Sequence, residues 1–134
     1  MDWTLEVVPV PVSDVETAKR FYGEQLGFSV DHDTAISEQM RVVQLTPPGS
    51  GCSIVISTGL FTNPPGSVQG LQLVVADLDA AREQLVERGV DVSKIMRFEG
   101  ESYVEGRGGA WNAFVLFKDP DGNSWAIQER PADR

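Results

Sequence analysis

A short segment occurs twice in this sequence. Val12–Ala18 (VSDVETA) resembles Val75–Ala81 (VADLDAA), about half a chain length later. Each copy follows a Val-rich apolar run and precedes a helix-like stretch that ends in glycine, at Gly27 and at Gly89. Internal repetition indicates a fold assembled from similar units. The repeat therefore predicts two half-size modules, each opening with a strand followed by a helix.

Strand-like runs fill the rest of each module. They are separated by turn sequences such as Asp119–Asn123 (DPDGN), where proline presets φ and glycine accepts a positive φ. The pattern predicts strand-helix-strand-strand-strand, twice. We expect one domain over residues 1–134, with module one at about 5–57, a linker at 58–66 and module two at about 67–129. The predicted strands after the helices lie at 28–33, 40–46, 53–57, 95–98, 113–117 and 124–129.

The two helices carry start and stop signals. Ser13 and Glu16 have the spacing of a capping box, and Asp77 is a good N-cap for the second helix. Gly27 and Gly89 are the expected helix ends, because glycine readily adopts the left-handed conformation. The segment 99–109 is glycine-rich and is expected to be a mobile loop.

Composition and charge narrow the possible partners. The 134 residues are 41% hydrophobic and 23% charged, with a formal net charge of −9. Nucleic-acid binding depends on basic faces that neutralise phosphates, and anionic lipid repels an acidic surface, so we expect neither nucleic acid nor membrane as a partner. The acidity either serves solubility or attracts a cationic small molecule. A single cysteine, Cys52, and no secretory segment at the start predict a cytoplasmic protein.

Three motifs, in order, carry a family resemblance. They are Val10–Val15 (VPVSDV), Phe21–Tyr22 followed by Leu26–Phe28 (LGF), and Phe117–Asn123 (FKDPDGN). With these motifs the chain resembles the vicinal oxygen chelate superfamily (glyoxalases, bleomycin resistance proteins and extradiol dioxygenases) over about residues 5–129. The resemblance implies an α+β fold in which two βαβββ modules form a curved mixed sheet around a cavity, with helices on the convex side. It also implies a homodimer.

The resemblance makes the metal-ligand positions informative. Family enzymes hold a divalent metal through His, Gln or Glu on the first and last strands of each module. The matching positions here are Val7, Gly70 and Ala126, with Val55 placed to within about one residue. None of these side chains can ligate a metal, so we expect neither a metal nor another cofactor. His32, between two aspartates, is either a surface residue or a displaced ligand, and the surface is favoured.

Strand alternation then predicts which residues line the cavity. If the ligand positions face inward, so do Pro9, Gln72 and Gln128, while the residues between them pack on the helices. Trp111 and Tyr103 either add aromatic walls or cap the core or a dimer interface, and Trp125 is assigned to the core. No residue is assigned a catalytic role. The predicted ligand-binding residues are Val7, Pro9, Val55, Gln72, Tyr103, Trp111, Ala126 and Gln128.

Three functional hypotheses follow, in order of preference. The first is a metal-independent binding protein of the bleomycin-resistance type, which sequesters an aromatic or cationic antibiotic or another bulky natural product. The second is a metal-free isomerase, epimerase or lyase, which requires a carboxyl group of raised pKa in the cavity. The third is a metal-dependent glyoxalase or dioxygenase.

Overall fold

Residues 1–133, which the computed structural model describes, divide into two units. Unit 1 comprises Met1–Val68 together with Asp119–Asn123. Unit 2 comprises Gln69–Lys118 and the segment from Ser124 onward. Both units are mixed α+β, as expected for two βαβββ modules. Within residues 1–133, no helix is long and apolar enough to cross a membrane.

Unit 1 contains one sheet and one helical segment. Its strands run in the order β1-β4-β3-β2, with β1 parallel to β4 and the other neighbours antiparallel. Helix α1 continues directly into a π-helical turn. The elements are β1 (Val7–Pro11), α1 (Val15–Arg20), the π-helical turn (Phe21–Gln25), β2 (Ser29–Ala35), β3 (Arg41–Thr46) and β4 (Ser53–Ser57).

The start of α1 corrects one prediction. Asp14, not Ser13, is the N-cap, and its carboxyl group accepts a hydrogen bond from the Thr17 amide. The backbone N–H of Ser13 instead donates to Asp121. The capping-box spacing predicted the wrong residue, because the carboxyl group of Asp14, one position later, accepts the hydrogen bond from the first turn of the helix. The predicted helix end is confirmed, since Gly27 has a φ of +81°.

The core of unit 1 lies between α1 and one face of the sheet. Val10, Val43 and Ile56 are completely buried, while their neighbours in sequence are less so. The buried side of the helix, which contacts β3 and β4, contributes Val15 and Ala18. Alternation along β1 and β3 therefore has the predicted phase, and it leaves the opposite face of the sheet without a covering helix of this unit.

Unit 2 repeats this plan with one additional strand. The order is β5-β9-β8-β6-β7, and β5 is parallel to β9. The strand at the edge of this sheet, β7, lies within the segment 99–109 that was expected to be a mobile loop, so that expectation is wrong. The alternating residues of β7, Ser102–Glu105 (SYVE), pair with β6 to form a hairpin. The elements are β5 (Leu71–Val75), α2 (Leu78–Glu87), β6 (Met96–Glu99), β7 (Ser102–Glu105), β8 (Phe114–Lys118) and β9 (Ser124–Glu129).

Helix α2 packs against β8 and β9. Asp77 caps it as predicted by accepting from the Ala80 amide, and the helix buries Leu78 and Leu85. Trp125 is 4% exposed and stacks on Phe117 with the ring centroids 6.1 Å apart, which confirms its assignment to the core.

A network of charges on unit 1 connects α1 to β2 and β3. The guanidinium of Arg41 contacts both Asp33 and Glu16, and Lys19 contacts Asp33 at 2.7 Å. Hydrogen bonds from Arg41 and Lys19 hold the pKa of Asp33 well below its usual range. The hydrogen bond from Arg41 likewise lowers the pKa of Glu16. Both carboxyl groups are therefore more acidic in the folded chain than in the unfolded chain.

This network predicts a pH-dependent contribution to stability. A carboxyl group whose pKa is depressed by folding stabilises the fold above its unfolded pKa and loses that effect as the pH falls. We expect Arg41→Met to lower the free energy of unfolding near pH 7, and this difference from wild type to shrink below about pH 4. Urea unfolding at several pH values measures it. Lys118→Met, at an exposed residue outside the ion pairs of residues 1–133, should show no such convergence.

Candidate functional site

The uncovered face of the unit 1 sheet carries the predicted residues of that module. Val7 and Pro9 are both exposed, whereas Val10 is buried on the opposite face. Pro9 lies directly beside Val55, and Val55 lies beside Gln44 of β3. Next to this row, the hydroxyl groups of Thr46 and Ser53 are 2.6 Å apart. This row thus combines the apolar side chains of Pro9 and Val55 with the amide of Gln44 and, on β2, the imidazole of His32, which is paired with Gln44.

The corresponding face of the unit 2 sheet is formed by two neighbouring rows. Gln72 lies beside Ala126, and Val74 lies beside Gln128. Gln128 in turn lies beside Phe114. Gln72 and Val74 are exposed on this face. Trp125, which precedes Ala126 on β9 and points to the opposite face, is buried. The structure thus places the predicted residues Gln72, Ala126 and Gln128 on one face.

Two glutamine side chains on this face form a directed chain of hydrogen bonds. The Gln72 Nε2 donates to Gln128 Oε1 at 2.7 Å. The Gln128 Nε2 donates to the backbone carbonyl oxygen of Trp111, also at 2.7 Å. A backbone carbonyl only accepts, so this contact determines which end of the Gln128 amide faces Trp111. The predicted residues Gln72, Gln128 and Trp111 are therefore directly linked.

Three aromatic rings lie at the same face, on β6, β7 and β8. The Tyr103 ring contacts Phe98 at a centroid distance of 5.3 Å and Phe114 at 5.4 Å, and both contacts are edge-to-face. Phe98 and Tyr103 are directly paired across the hairpin. Phe98 is 48% exposed and Tyr103 is 39% exposed. We call this surface the aromatic–amide face, formed by Gln72, Phe98, Tyr103, Trp111, Phe114, Ala126 and Gln128.

Trp111 adopts a backbone conformation that bulky residues avoid. Its φ is +64°, and no other non-glycine residue among 1–133 has a positive φ. Such a conformation costs on the order of 1–3 kcal/mol and persists only where the surroundings impose it. Here the adjacent Asn112 fixes the segment, because its side-chain amide exchanges two hydrogen bonds with the backbone of Phe98. The Trp111 side chain nonetheless stays 40% exposed.

Some residues of the aromatic–amide face were not predicted from the sequence. Phe114 was assigned to a strand without a site role, and Phe98 was favoured as a cap of the core or part of a dimer interface rather than as a wall of the site. Asn112, which lies outside the face but holds the Trp111 segment against Phe98, was not singled out at all. The alternation of residues 102–105 was the available signal for β7, and it was masked by the glycines on either side.

Two titratable residues of unit 1, His32 and Asp119, lie outside this face. His32 lies exposed on β2 beside Gln44, on the same face of the unit 1 sheet as Val55. The only buried acidic residue among 1–133 is Asp119 in unit 1. Its carboxyl group accepts hydrogen bonds from the Tyr22 hydroxyl at 2.7 Å and from the Asn123 amide at 2.8 Å.

Known proteins resemble this chain over most of its length. The family model described as glyoxalase/bleomycin resistance protein/dioxygenase superfamily matches residues 2–127. The chain belongs to this superfamily. It is 35% identical to TnmS3, an antibiotic-binding protein from Streptomyces sp. CB03234, with a TM-score of 0.78 over 97% of this chain and 98% of that one.

Two further proteins show similar extents of likeness, and the first of them is described as a member of this superfamily. A member from Sphaerobacter thermophilus DSM 20745 is 28% identical, with a TM-score of 0.76 over 96% of this chain and 98% of that one. The protein YetH of Bacillus subtilis (strain 168) is 29% identical over 126 residues, which are 91% of this chain and 94% of YetH. The resemblance inferred from the three motifs is therefore confirmed.

The side chains at the superfamily's ligand positions do not fit a divalent metal. In unit 1, Val7 and Val55 present only hydrocarbon to the uncovered face. In unit 2, Ala126 offers a methyl group, and a Cβ added at Gly70 would meet nothing within 4 Å. Divalent metals in this superfamily need imidazole, amide or carboxylate donors. The donor set at these positions supplies none, so the function proposed below involves no metal-dependent step.

One group of acidic residues lies elsewhere in unit 2. Carboxyl oxygens of Asp77, Asp79 and Glu129 approach within 4.8 Å of one another. Asp77 caps α2, and Glu129 accepts from the Leu78 amide at 2.9 Å. The guanidinium of Arg107 pairs with both Asp79 and Glu129. These contacts account for the cluster as a link between α2, β9 and the segment that follows β7.

Proposed function

We propose that this protein is a metal-independent small-molecule binding protein that sequesters a planar aromatic antibiotic or a similar natural product. The observation that carries the proposal is the aromatic–amide face. It combines exposed aromatic rings with a few fixed polar groups, the usual composition of a small-molecule site. The 35% identity to an antibiotic-binding protein over nearly the whole chain supports the same class of function.

One further observation favours binding over catalysis, and another favours a cationic ligand. The metal-free enzyme hypothesis requires a carboxyl group placed to act as a base in the site. The buried acid among residues 1–133, Asp119, is instead engaged by Tyr22 and Asn123 in unit 1. The net charge of −9 also favours a cationic ligand over an anionic substrate.

Two finer parts of the proposal concern assembly and location. We propose a homodimer in the cytoplasm, by analogy with the superfamily and from the single cysteine of this chain. Sedimentation equilibrium at micromolar concentration tests the dimer, and a monomer mass would contradict it.

Titration calorimetry with proflavine, a planar cationic aromatic dye, tests the binding function. We expect the wild-type protein to bind it with a micromolar dissociation constant and to release it chemically unchanged. Tyr103→Ala and Trp111→Asn should each weaken binding about tenfold or more, because each removes aromatic contact worth about 1.4 kcal/mol. Asparagine is chosen at position 111 because it tolerates a positive φ.

The control is Val86→Ala on α2, whose side chain is 50% exposed and lies outside the aromatic–amide face. It should bind proflavine like the wild type. Equal weakening in this control, or no binding by the wild type, would contradict the proposal. Conversion of the dye or of bleomycin, followed by mass spectrometry, would contradict a purely sequestering role.

A further inference from the structure

The hydrogen-bond chain on the aromatic–amide face has a definite direction. It begins at the Trp111 carbonyl, which can only accept a hydrogen bond. Gln128 must therefore turn its Nε2 toward Trp111 and its Oε1 toward Gln72. Gln72 must then turn its Nε2 toward Gln128. Reversing either amide would bring two oxygens together, so the orientation follows from chemistry alone.

The direction of this chain determines what Gln72 offers to a ligand. With Nε2 committed to Gln128, the end of the amide that points away is the oxygen. No side chain or backbone group among the described residues donates to this Oε1 in the contacts of the face. Gln72 is exposed, and a Cβ added at the nearby Gly70 would find open space. A ligand lying on the face can therefore reach an oriented acceptor.

From this geometry we infer that Gln72 selects ligands that carry a hydrogen-bond donor on their aromatic portion, and that Gln128 is a positioning residue that keeps the Gln72 oxygen turned outward. The ligand class is a planar aromatic molecule with an amino or hydroxyl group. This inference rests on the proposed function and adds a chemical preference to it. A donor-bearing ligand gains a hydrogen bond, whereas a methyl-capped ligand leaves the oxygen desolvated and unpaired.

Two acridine dyes test the preference directly. Proflavine and acridine orange share a planar cationic ring system, but the amino groups of proflavine are dimethylated in acridine orange and cannot donate. We expect the wild-type protein to prefer proflavine about tenfold by titration calorimetry. Gln72→Leu should bind both dyes with nearly equal affinity.

A Gln128 variant tests the positioning role separately. In Gln128→Leu the Gln72 amide is free to rotate, so the preference should fall several-fold although the acceptor is still present. Gln84→Leu, on α2, is the matched control and should keep the wild-type preference. Melting curves of each variant identify any loss of folding before the titrations are compared.

The outcomes separate this inference from the proposed function. Equal wild-type affinity for the two dyes, or a preference that survives Gln72→Leu, overturns the donor selection and leaves the binding function standing. Failure of the wild type to bind either dye overturns both. A preference that Gln72→Leu abolishes but Gln128→Leu preserves supports the acceptor role of Gln72 and overturns the positioning role of Gln128.

Discussion

Gly66→Ala should destabilise unit 1 by about 3 kcal/mol or more. Gly66 ends the sequence Pro64-Pro65-Gly66 with a φ of +82°, and a Cβ built there would lie 2.2 Å from the carbonyl oxygen of Asp121. The neighbouring carbonyl carbon of Asp121 would be only 3.2 Å away. Because these atoms are backbone, no side-chain rotation relieves the clash. Urea unfolding of the variant measures the loss.

Gly49→Ala separates the steric clash from the cost of the backbone conformation. Gly49 has nearly the same φ, +81°, but a Cβ there would meet nothing within 4 Å. This variant should lose only about 1 kcal/mol, the usual cost of a side chain in the left-handed region. If both alanine variants lose the same free energy, the close approach of Gly66 to Asp121 does not exist in solution.

Asn123→Ala should cost about 3 kcal/mol of the free energy of unfolding. The Asn123 side chain is completely buried. Its Nδ2 donates to the Pro11 carbonyl at 3.0 Å and to Asp119 at 2.8 Å, and its Oδ1 accepts from the Val68 amide at 3.0 Å. Truncation leaves three polar groups without this partner in a region that water reaches poorly.

Two companion variants calibrate this loss by chemical denaturation. Tyr22→Phe removes only the hydroxyl that donates to Asp119 and should cost about 1 kcal/mol, because Asp119 keeps its bonds from Asn123. Asn63→Ala changes an exposed asparagine of the same unit and should stay within about 0.5 kcal/mol of wild type. An Asn123→Ala variant as stable as Asn63→Ala would show that this network contributes nothing.

Regular local patterns made most of the fold predictable. The repeat at Val12 and Val75 identified the two modules, because a strand followed by a capped helix leaves a short-range signature in each. Alternation gave the correct phase for β1, β5 and β9, so Val10 and Trp125 were correctly placed in the core. The errors arose where two local signals competed. Ser13 and Asp14 both suited the N-cap, and the glycines around β7 suggested a loop although residues 102–105 pair with β6.

The candidate site was predictable only in part. Gln72, Ala126 and Gln128 were assigned to one face because alternation and the family resemblance place them there. The sequence left two roles open for Trp111: an aromatic wall of the site, or a cap of the core or of a dimer interface. Its positive φ, and the support that Asn112 gives to its segment, depend on contacts between residues far apart in sequence. No pattern in residues 106–112 could have indicated either feature.

The sequence by itself determined the two-module architecture, the superfamily and the absence of metal-donor side chains at Val7, Gly70 and Ala126, because these depend on residue identity and local periodicity. Tertiary structure alone decided that Tyr103 packs between Phe98 and Phe114, and that the Gln72 amide is oriented through Gln128 by the Trp111 carbonyl. The direction of a hydrogen-bond chain is set where it meets a group that can only accept. The contact between Gln128 and the Trp111 carbonyl forms only when the polypeptide folds, because it joins residues from separate strands and a loop.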